Sequence, residues 1–243
     1  ILPAILVNGA EGIGTGWSTS IPCYNPLDLI SNLESRLSDP SVTLRRMSPW
    51  YKNFTGSITP QDQGYQVKGV WRKVDKNTIE ISELPIKKWT RDYKNFLEDL
   101  MMQGETIEDL KEFHKDNTVH FVLKMKEDVD KIQRKEGGVE KLLKLNSNIS
   151  CNNFVLFDKD HKIKRYENEV EILEEFYQVR LELYKQRKSH MMRLLEKDIA
   201  ILTNKSRFIS ELNKGQLKIQ GIPKAAIIEL LIQNKYLTQH EID

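Results

Sequence analysis

Residue types and spacings that could perform catalytic chemistry are scarce in this sequence. The histidines are scattered, and no cysteine–histidine spacing fits a zinc site. The sequence contains no Gly-x-Ser-x-Gly turn for a nucleophilic serine and no phosphate loop ending in Gly-Lys-Ser/Thr. Asp158 and Asp160 flank a lysine, a pattern typical of solvated turn residues rather than of a magnesium site. We therefore predict no self-contained active site.

The range 9–16 is unusually rich in glycine. Four glycines in eight residues predict a tight loop whose backbone can closely approach another molecule. Ile13 stands between Gly12 and Gly14, where a branched apolar side chain is unexpected. Two interpretations remain open. Ile13 is buried locally, or it is a wedge that unstacks base pairs and kinks DNA.

Two basic clusters are candidates for phosphate contacts. The range 87–91 reads Lys-Lys-Trp-Thr-Arg and directly precedes a predicted helix, where charge and backbone N–H donors favour phosphate. The alternative is an ordinary helix start with Trp89 in the core. A second cluster at 180–193 lies within a long predicted helix, and it either faces DNA or forms a solvated arm.

Composition narrows the class of protein. The chain has 243 residues with 37 Lys and Arg against 35 Asp and Glu, so a net charge of +2 favours no particular partner. No stretch approaches the about 20 apolar residues of a membrane helix, and no secretory leader is visible. Two cysteines, Cys23 and Cys151, suit a reducing compartment. Because the first residue is Ile1 rather than Met, we expect a processed or excised chain.

The sequence patterns that indicate helices and strands predict an α+β fold with a domain boundary near residue 166. An apolar run at 5–7 predicts a buried strand, and 54–82 predicts a β-meander with turns at 63–64 and 75–77. Asn25 and Pro26 begin a helix whose apolar face is predicted to contain Leu27, Ile30, Leu33 and Leu37. We further predict a helix capped by Thr90 and closed by Gly104, a strand at 118–125, short helices at 127–135 and 138–144, and a hairpin over 154–166.

Beyond residue 166 the pattern becomes helical. Asn168 and Glu171 resemble a capping box, and no glycine or proline follows until Gly215. A helix of about 45 residues would be about 70 Å long, which is typical of an arm or a coiled coil. We predict a break near 214–221 and a further helix from Pro223.

Residues 6–18, Leu-Val-Asn-Gly-Ala-Glu-Gly-Ile-Gly-Thr-Gly-Trp-Ser, followed by Ile21-Pro22, resemble the signature of eukaryotic DNA topoisomerase II, a type IIA topoisomerase. Three more stretches resemble the same family in the same order: 79–85 with Trp89-Thr90, 154–158, and 175–184. The resemblance implies a mixed β-sheet tower domain over 1–166 and a long α-helical coiled-coil arm over 167–243.

In that family the isoleucine that matches Ile13 intercalates and bends the gate DNA, so the resemblance implies double-stranded DNA as the partner. It also implies that a stretch whose composition alone predicts a polar loop lies against the DNA. The implied DNA-binding and bending residues are Asn8, Gly12, Ile13, Gly14, Lys88, Trp89, Thr90, Lys144, Leu145, Asn146, Ser147, Asn148, Ile149, Ser150, Cys151, Asn152 and Asn153.

The resemblance implies no catalytic, cofactor-binding or metal-binding residue in this chain. The family's nucleophilic tyrosine lies just upstream of the position that matches Ile1, and no tyrosine here has that context. The complete enzyme would resemble a nuclear homodimer that uses ATP and magnesium to pass one duplex through another during chromosome segregation. This chain alone would be inactive. The alternative is a mainly structural module that braces a dimer through its coiled coil.

Overall fold

The computed structural model describes residues 1–62, 64–115 and 118–242. Its fold is α+β, as predicted. The helices are α1 (Ala4–Asn8), α2 (Pro26–Ser38), α3 (Thr90–Gln103), α4 (Val129–Arg134), α5 (Gly138–Leu142), α6 (Glu169–Asn213), α7 (Lys224–Gln233) and α8 (Gln239–Ile242). The strands are β1 (Ala10–Ile13), β2 (Ser18–Ile21), β3 (Ser57–Gln61), β4 (Gly64–Lys68), β5 (Val70–Lys73), β6 (Thr78–Glu83), β7 (Ile107–Glu112), β8 (Phe121–Met125), β9 (Asn146–Ser150), β10 (Phe154–Phe157) and β11 (Ile163–Tyr166).

The strands in the described ranges form four antiparallel sheets, with orders β1-β2, β10-β11, β3-β4-β9 and β5-β6-β8-β7. The single meander predicted over 54–82 is therefore wrong, because β4 and β5 belong to different sheets. They separate at Gly69, whose N–H donates to the Leu145 carbonyl over 2.9 Å. A Cβ atom at Gly69 would lie 2.4 Å from the Glu83 carbonyl oxygen, so the sheets meet more closely than a side chain allows. Gln63, in one predicted turn, lies outside the described residues.

A first core lies against the four-stranded sheet. Phe121, Leu123 and Met125 alternate along β8 and are fully buried, as their spacing predicts. The α3 residues Tyr93 and Leu97 pack against them. The helix α3 ends at Gly104 in a left-handed conformation, as predicted, but its N-cap is Trp89 rather than Thr90.

A second core connects the N-terminal segment with the start of α6. It contains Leu6, Tyr24, Leu29, Phe154 and Leu173, all essentially inaccessible to solvent. The strand predicted at 5–7 is instead the short helix α1, because the N–H groups of residues 6 and 7 both donate to the Pro3 carbonyl.

The helix α2 has the predicted cap, but its buried face differs from the predicted one. The Asn25 side chain accepts a hydrogen bond from the Leu27 N–H over 3.0 Å. The buried residues are Leu29, Asn32 and Leu33, whereas Leu27 is mostly exposed. Asn32 is retained inside because its amide pairs with the backbone of the segment that follows α2, donating to and accepting from residue 45.

The long helix α6 confirms the prediction from the uninterrupted helical pattern. The Asn168 side chain accepts from the N–H groups of Val170 and Glu171, at 3.0 and 3.1 Å. The Glu171 carboxylate accepts from the Glu167 N–H, one residue earlier than a regular capping box requires. The chain divides into two compact units, residues 1–177 and 178–243.

The unit 178–243 contains most of α6, the predicted break and α7. Arg207 pairs with Glu211 over 2.7 Å, and the Tyr236 hydroxyl donates to the same carboxylate over 2.6 Å. The α7 helix ends at Gln233, so Tyr236 lies beyond it rather than in it. Among the described residues, no helix is both long and apolar enough to cross a membrane.

Candidate nucleic-acid interface

The glycine-rich range 9–16 was predicted to be a loop. In the structure, part of this range instead forms one strand of a hairpin. Residues Ala10–Ile13 pair with Ser18–Ile21 in antiparallel register. The Gly14 N–H donates to the Trp17 carbonyl over 2.8 Å and closes the turn. Glycine is tolerated in this strand because the strands pair through backbone hydrogen bonds. In the turn that follows, Gly16 supplies a positive φ of 79°.

Ile13 ends the first strand of this hairpin and is 93% exposed, so the interpretation that it is locally buried is wrong. A Cβ atom at Gly12 would have no neighbour within 4 Å, and one at Gly14 would only touch the Trp17 carbonyl oxygen at 3.7 Å. The space beside Ile13 is therefore open on both sides. An exposed branched apolar side chain with clear surroundings has the geometry of an intercalating wedge.

Asn153 fixes the second strand of the hairpin. Its carbonyl accepts from the Ser20 N–H over 2.9 Å, and its side-chain amide donates to the Ser18 hydroxyl over 2.9 Å. The Thr19 hydroxyl accepts from the Val155 N–H over 3.3 Å. Asn153, predicted as a DNA contact, thus has a structural partner of its own in the hairpin.

An open apolar groove of about 420 Å³ lies beside Ile13. Ile13 and Trp17 line it from the hairpin, and Phe157 and Ile163 line it from the β10-β11 ribbon. Trp17 and Phe157 are both more than half exposed. Ile13 is thus one part of a larger apolar surface, most of which was not predicted from the sequence.

The segment before α3 is a second candidate contact. Trp89 is 73% exposed, so its placement in the core is wrong. Its backbone is extended, with φ of −78° and ψ of 137°. Trp89 therefore lies outside the helical turns that bury Tyr93. Lys87 adopts a positive φ of 67°, and its ammonium lies 2.6 Å from the Glu11 carboxylate.

Lys88 and Lys144 bring two positive charges together. The Lys88 ammonium donates to the Lys144 carbonyl, and the Lys144 ammonium lies 4.3 Å from the centre of the Phe96 ring. Burial lowers the pKa of Lys88, and the positive charge of Lys144 lowers it further. A cavity of about 200 Å³ lies here, lined by both lysines, Trp89 and Asp92. Converging ammonium groups beside an accessible cavity can hold a phosphate oxygen.

The stretch 144–153 is not the polar loop that its composition predicts, because it contains the strand β9. Leu145 and Ile149 are buried, at 0% and 9% exposure, and so serve packing. Ser147 and Cys151 are partly buried, and burial raises the pKa of the Cys151 thiol to about 11. The side chains of this stretch that are exposed belong to Lys144, Asn148, Ser150 and Asn152.

The remaining candidates also have clear positions. Asn8 is exposed at the end of α1, where its carbonyl accepts from the Cys23 thiol over 3.1 Å. Thr90 is exposed less fully, at the first position of α3. The structure thus brings 8–14, 87–90 and part of 144–153 into one linked region through the contacts of Asn153, Lys87 and Lys88.

Two tyrosines near this region, Tyr24 and Tyr51, have raised pKa values. Burial, followed by the negative charge of Glu169, raises the pKa of Tyr24. Burial raises the pKa of Tyr51 to about 12. Both phenols are therefore protonated near neutral pH. Within the described ranges, no group of three or more histidine, cysteine, aspartate or glutamate side chains is arranged to hold a metal ion.

Glu11 was not predicted as a site residue, whereas its partner Lys87 belongs to the basic cluster 87–91 that was. One signal was available, because Glu11 is the only charged residue in the range 8–22. Nothing in the sequence indicated that its partner would be 76 residues away.

Comparisons with known proteins identify the family of this fold and site. A family model that describes the A subunit of DNA gyrase/topoisomerase IV matches residues 1–242. DNA topoisomerase 2 of Plasmodium falciparum is 41% identical over 241 residues, which cover 97% of this chain and 17% of that protein. DNA topoisomerase 2 of Arabidopsis thaliana is 40% identical over 243 residues, which cover 97% of this chain and 16% of that protein. The chain thus spans about a sixth of the length of these relatives.

A solved structure has the same fold along the whole chain. It is the Plasmodium falciparum topoisomerase II DNA-binding, cleavage and re-ligation domain, with a TM-score of 0.86 and 41% identity. The match covers 100% of this chain and 33% of that one. The chain belongs to the type IIA topoisomerase family that the DNA gyrase/topoisomerase IV A-subunit model describes, and among its relatives are the eukaryotic DNA topoisomerase 2 enzymes.

Proposed function

We propose that this chain binds double-stranded DNA and bends it, as part of the machinery with which a type IIA topoisomerase passes one duplex through another. The observation that carries the proposal is Ile13, 93% exposed at the end of an anchored β-strand. An exposed isoleucine gains apolar contact when it inserts between base pairs, which offsets part of the cost of unstacking them.

The energetics of bending require both the wedge and the basic residues. Bending a short duplex by tens of degrees costs of order 1–6 kcal/mol. Apolar contact at Ile13 supplies part of this energy, and phosphate contacts by Lys88 and Lys144 supply the rest. Trp89 adds an exposed aromatic surface beside them. The exposed polar side chains of 144–153 complete the proposed contact with the DNA backbone.

The proposal assigns no bond cleavage to this chain by itself. In the complete enzyme, the tyrosine nucleophile, the magnesium site and the ATPase domain would come from other segments, and the active form would be a nuclear homodimer. Tyr24 supports this division of labour, because its side chain lies in the second core and is only 1% exposed.

The salt dependence of DNA binding tests the proposal. For this chain and a mixed-sequence duplex, log K should fall linearly with log salt concentration. Lys88→Gln and Lys144→Gln should each reduce that slope by about 0.9, the value for one lost phosphate contact. Lys124→Gln is the matched control, because Lys124 pairs with Glu108 on the β7-β8 strands, and it should leave the slope unchanged. Salt-independent binding, or equal slopes for all variants, would refute the proposal.

A second candidate function is a structural module that braces a dimer. It is favoured by apolar side chains of α6 that are half exposed or more and recur at three- or four-residue spacing, including Met191, Leu195, Ile199 and Leu202. Sedimentation analysis should then show self-association that Leu195→Asp abolishes. If self-association occurs without salt-dependent duplex binding, bracing is the function and DNA bending is not.

A further inference from the structure

The hairpin that carries Ile13 has two unequal attachments. Its second strand is held by the hydrogen bonds of Asn153. Its first strand carries Glu11, whose carboxylate lies 2.6 Å from the Lys87 ammonium. Glu11 is the only charged residue in the range 8–22, so any ion pair between that range and the segment 87–90 must use its carboxylate.

The ion pair is exposed and therefore weak. The side chains of Glu11 and Lys87 retain 64% and 56% of their accessible surface. Exposed pairs of this kind contribute only about 0–1 kcal/mol, because water and salt screen both charges. A pair that costs so little to open can exchange partners readily when a competing anion approaches.

The surroundings of Lys87 indicate which anion competes. Lys88 and the exposed Trp89 follow it in the chain, and Lys144 contributes a further positive charge next to Lys88. A DNA phosphate that approaches Lys88 and Lys144 comes close to Lys87 as well. The same phosphate repels the Glu11 carboxylate, so the two partners of the ion pair respond oppositely to DNA.

We propose that the Glu11 carboxylate occupies the place of a phosphate on Lys87 in the DNA-free chain, and that duplex DNA displaces it. The exchange gives Lys87 to the DNA backbone and frees the first hairpin strand from the segment 87–90, while Asn153 still holds the second strand. The phosphate contact at Lys87 then forms beside the exposed Ile13, on the segment from which Glu11 has been displaced. This inference rests on the proposed DNA binding, and it adds Glu11 and Lys87 as an electrostatic latch.

Zero-length carbodiimide crosslinking tests the latch directly, because it joins a lysine amine to a carboxylate only where the two groups are in contact. The DNA-free chain should yield a Glu11–Lys87 crosslink, detected by mass spectrometry. Saturating mixed-sequence duplex should reduce its yield severalfold. The Lys124–Glu108 pair, with a similar separation of 2.9 Å and similar exposure, is the internal control and should crosslink equally with and without DNA.

A double-mutant cycle on duplex affinity gives an independent test. If DNA must break the ion pair, Glu11→Gln should raise affinity more in the wild-type background than in Lys87→Gln, by roughly two- to fivefold. Equal gains in both backgrounds would mean simple repulsion by Glu11 and would overturn the latch, as would a Glu11–Lys87 crosslink that saturating DNA leaves intact. Loss of all salt-dependent duplex binding in the wild-type chain would instead refute the proposed function itself.

Discussion

The proposed phosphate contacts depend on individual lysines. Lys88 differs from an ordinary surface lysine, because burial and the nearby charge of Lys144 lower its pKa. In the DNA-free chain the charged form of Lys88 is thus disfavoured, whereas a bound phosphate would favour it and raise the pKa. The two states therefore bind different numbers of protons at alkaline pH.

This difference predicts a pH dependence of DNA affinity. Because Lys88 has the lower pKa without DNA, duplex binding should take up a proton, and affinity should fall as the pH rises through the lowered pKa of Lys88. Anisotropy titrations at constant salt measure this. Lys88→Gln should flatten the dependence, whereas Lys124→Gln should preserve it, since Glu108 raises rather than lowers the pKa of Lys124. An unchanged profile in Lys88→Gln would contradict the role given to this residue.

Residue-scale prediction from the sequence had a clear limit. The types and neighbours of Ile13 and Trp89 indicated candidates for contact, but burial was the open alternative for both. Both are exposed, because Ile13 ends a strand whose side faces open space and Trp89 precedes the first helical turn. Burial of a residue at the end of an element depends on the tertiary packing, which no local pattern specifies.

At the scale of elements, the hairpin and the β10-β11 ribbon act as a connected pair. The contact between Asn153 and Ser18 is a side-chain hydrogen bond of about 1 kcal/mol in typical cases. Asn153→Ala and Ser18→Ala should therefore each accelerate amide exchange in the hairpin by about fivefold. The double variant should exchange no faster than either single variant, because both substitutions remove the same hydrogen bond.

Asn152→Ala provides the matched control for the hairpin, because Asn152 is exposed and its side chain accepts from Ser150 rather than from the hairpin. It should leave hairpin exchange unchanged. Additive effects of Asn153→Ala and Ser18→Ala would show that the two side chains do not act through their mutual hydrogen bond.

A second prediction at the scale of elements concerns the N-terminus of α6, at Glu169. Glu169 is 1% exposed and accepts from the Arg46 guanidinium over 2.7 Å and from the Met47 N–H over 2.9 Å. Both donors bind the same carboxylate oxygen, so Glu169→Gln keeps an acceptor but removes the negative charge that strengthens these buried hydrogen bonds. It should lower the free energy of unfolding by about 2 kcal/mol in urea titrations. Glu182→Gln, at an exposed position of the same helix, should change it by less than about 0.5 kcal/mol.

Elements with strong local signals were predictable, whereas their partners were not. The cap at Asn168 and the absence of glycine and proline specified α6, and the turn at 158–161 specified the hairpin over 154–166. The strand β9 was missed, because Asn and Ser residues weaken the alternation that indicates a strand. Likewise, the placement of β4 and β5 in different sheets depends on the close approach at Gly69, which is a tertiary contact.

At the scale of the whole molecule, the near-neutral charge conceals a segregated pattern. Acidic residues at the start of α6 are neutralised within the unit 1–177, where Arg36 pairs with Glu174 over 2.8 Å and Lys164 pairs with Glu171 and Glu175 at 3.0 Å. Near the hairpin, Lys87 pairs with Glu11, and the side chains of Lys87, Lys88 and Lys144 line one accessible cavity. A net charge of +2 is therefore compatible with a basic DNA-binding surface.

The central claim is that Ile13 bends DNA, and Ile13→Ala tests it most directly. Bending is measured by fluorescence energy transfer between dyes at the two ends of a duplex saturated with the chain. Because Ile13 is 93% exposed, the substitution should leave thermal unfolding unchanged. Energy transfer should fall towards the value for free duplex, while the salt slope of binding stays the same. Undiminished energy transfer by the folded, DNA-saturated Ile13→Ala variant would contradict the account.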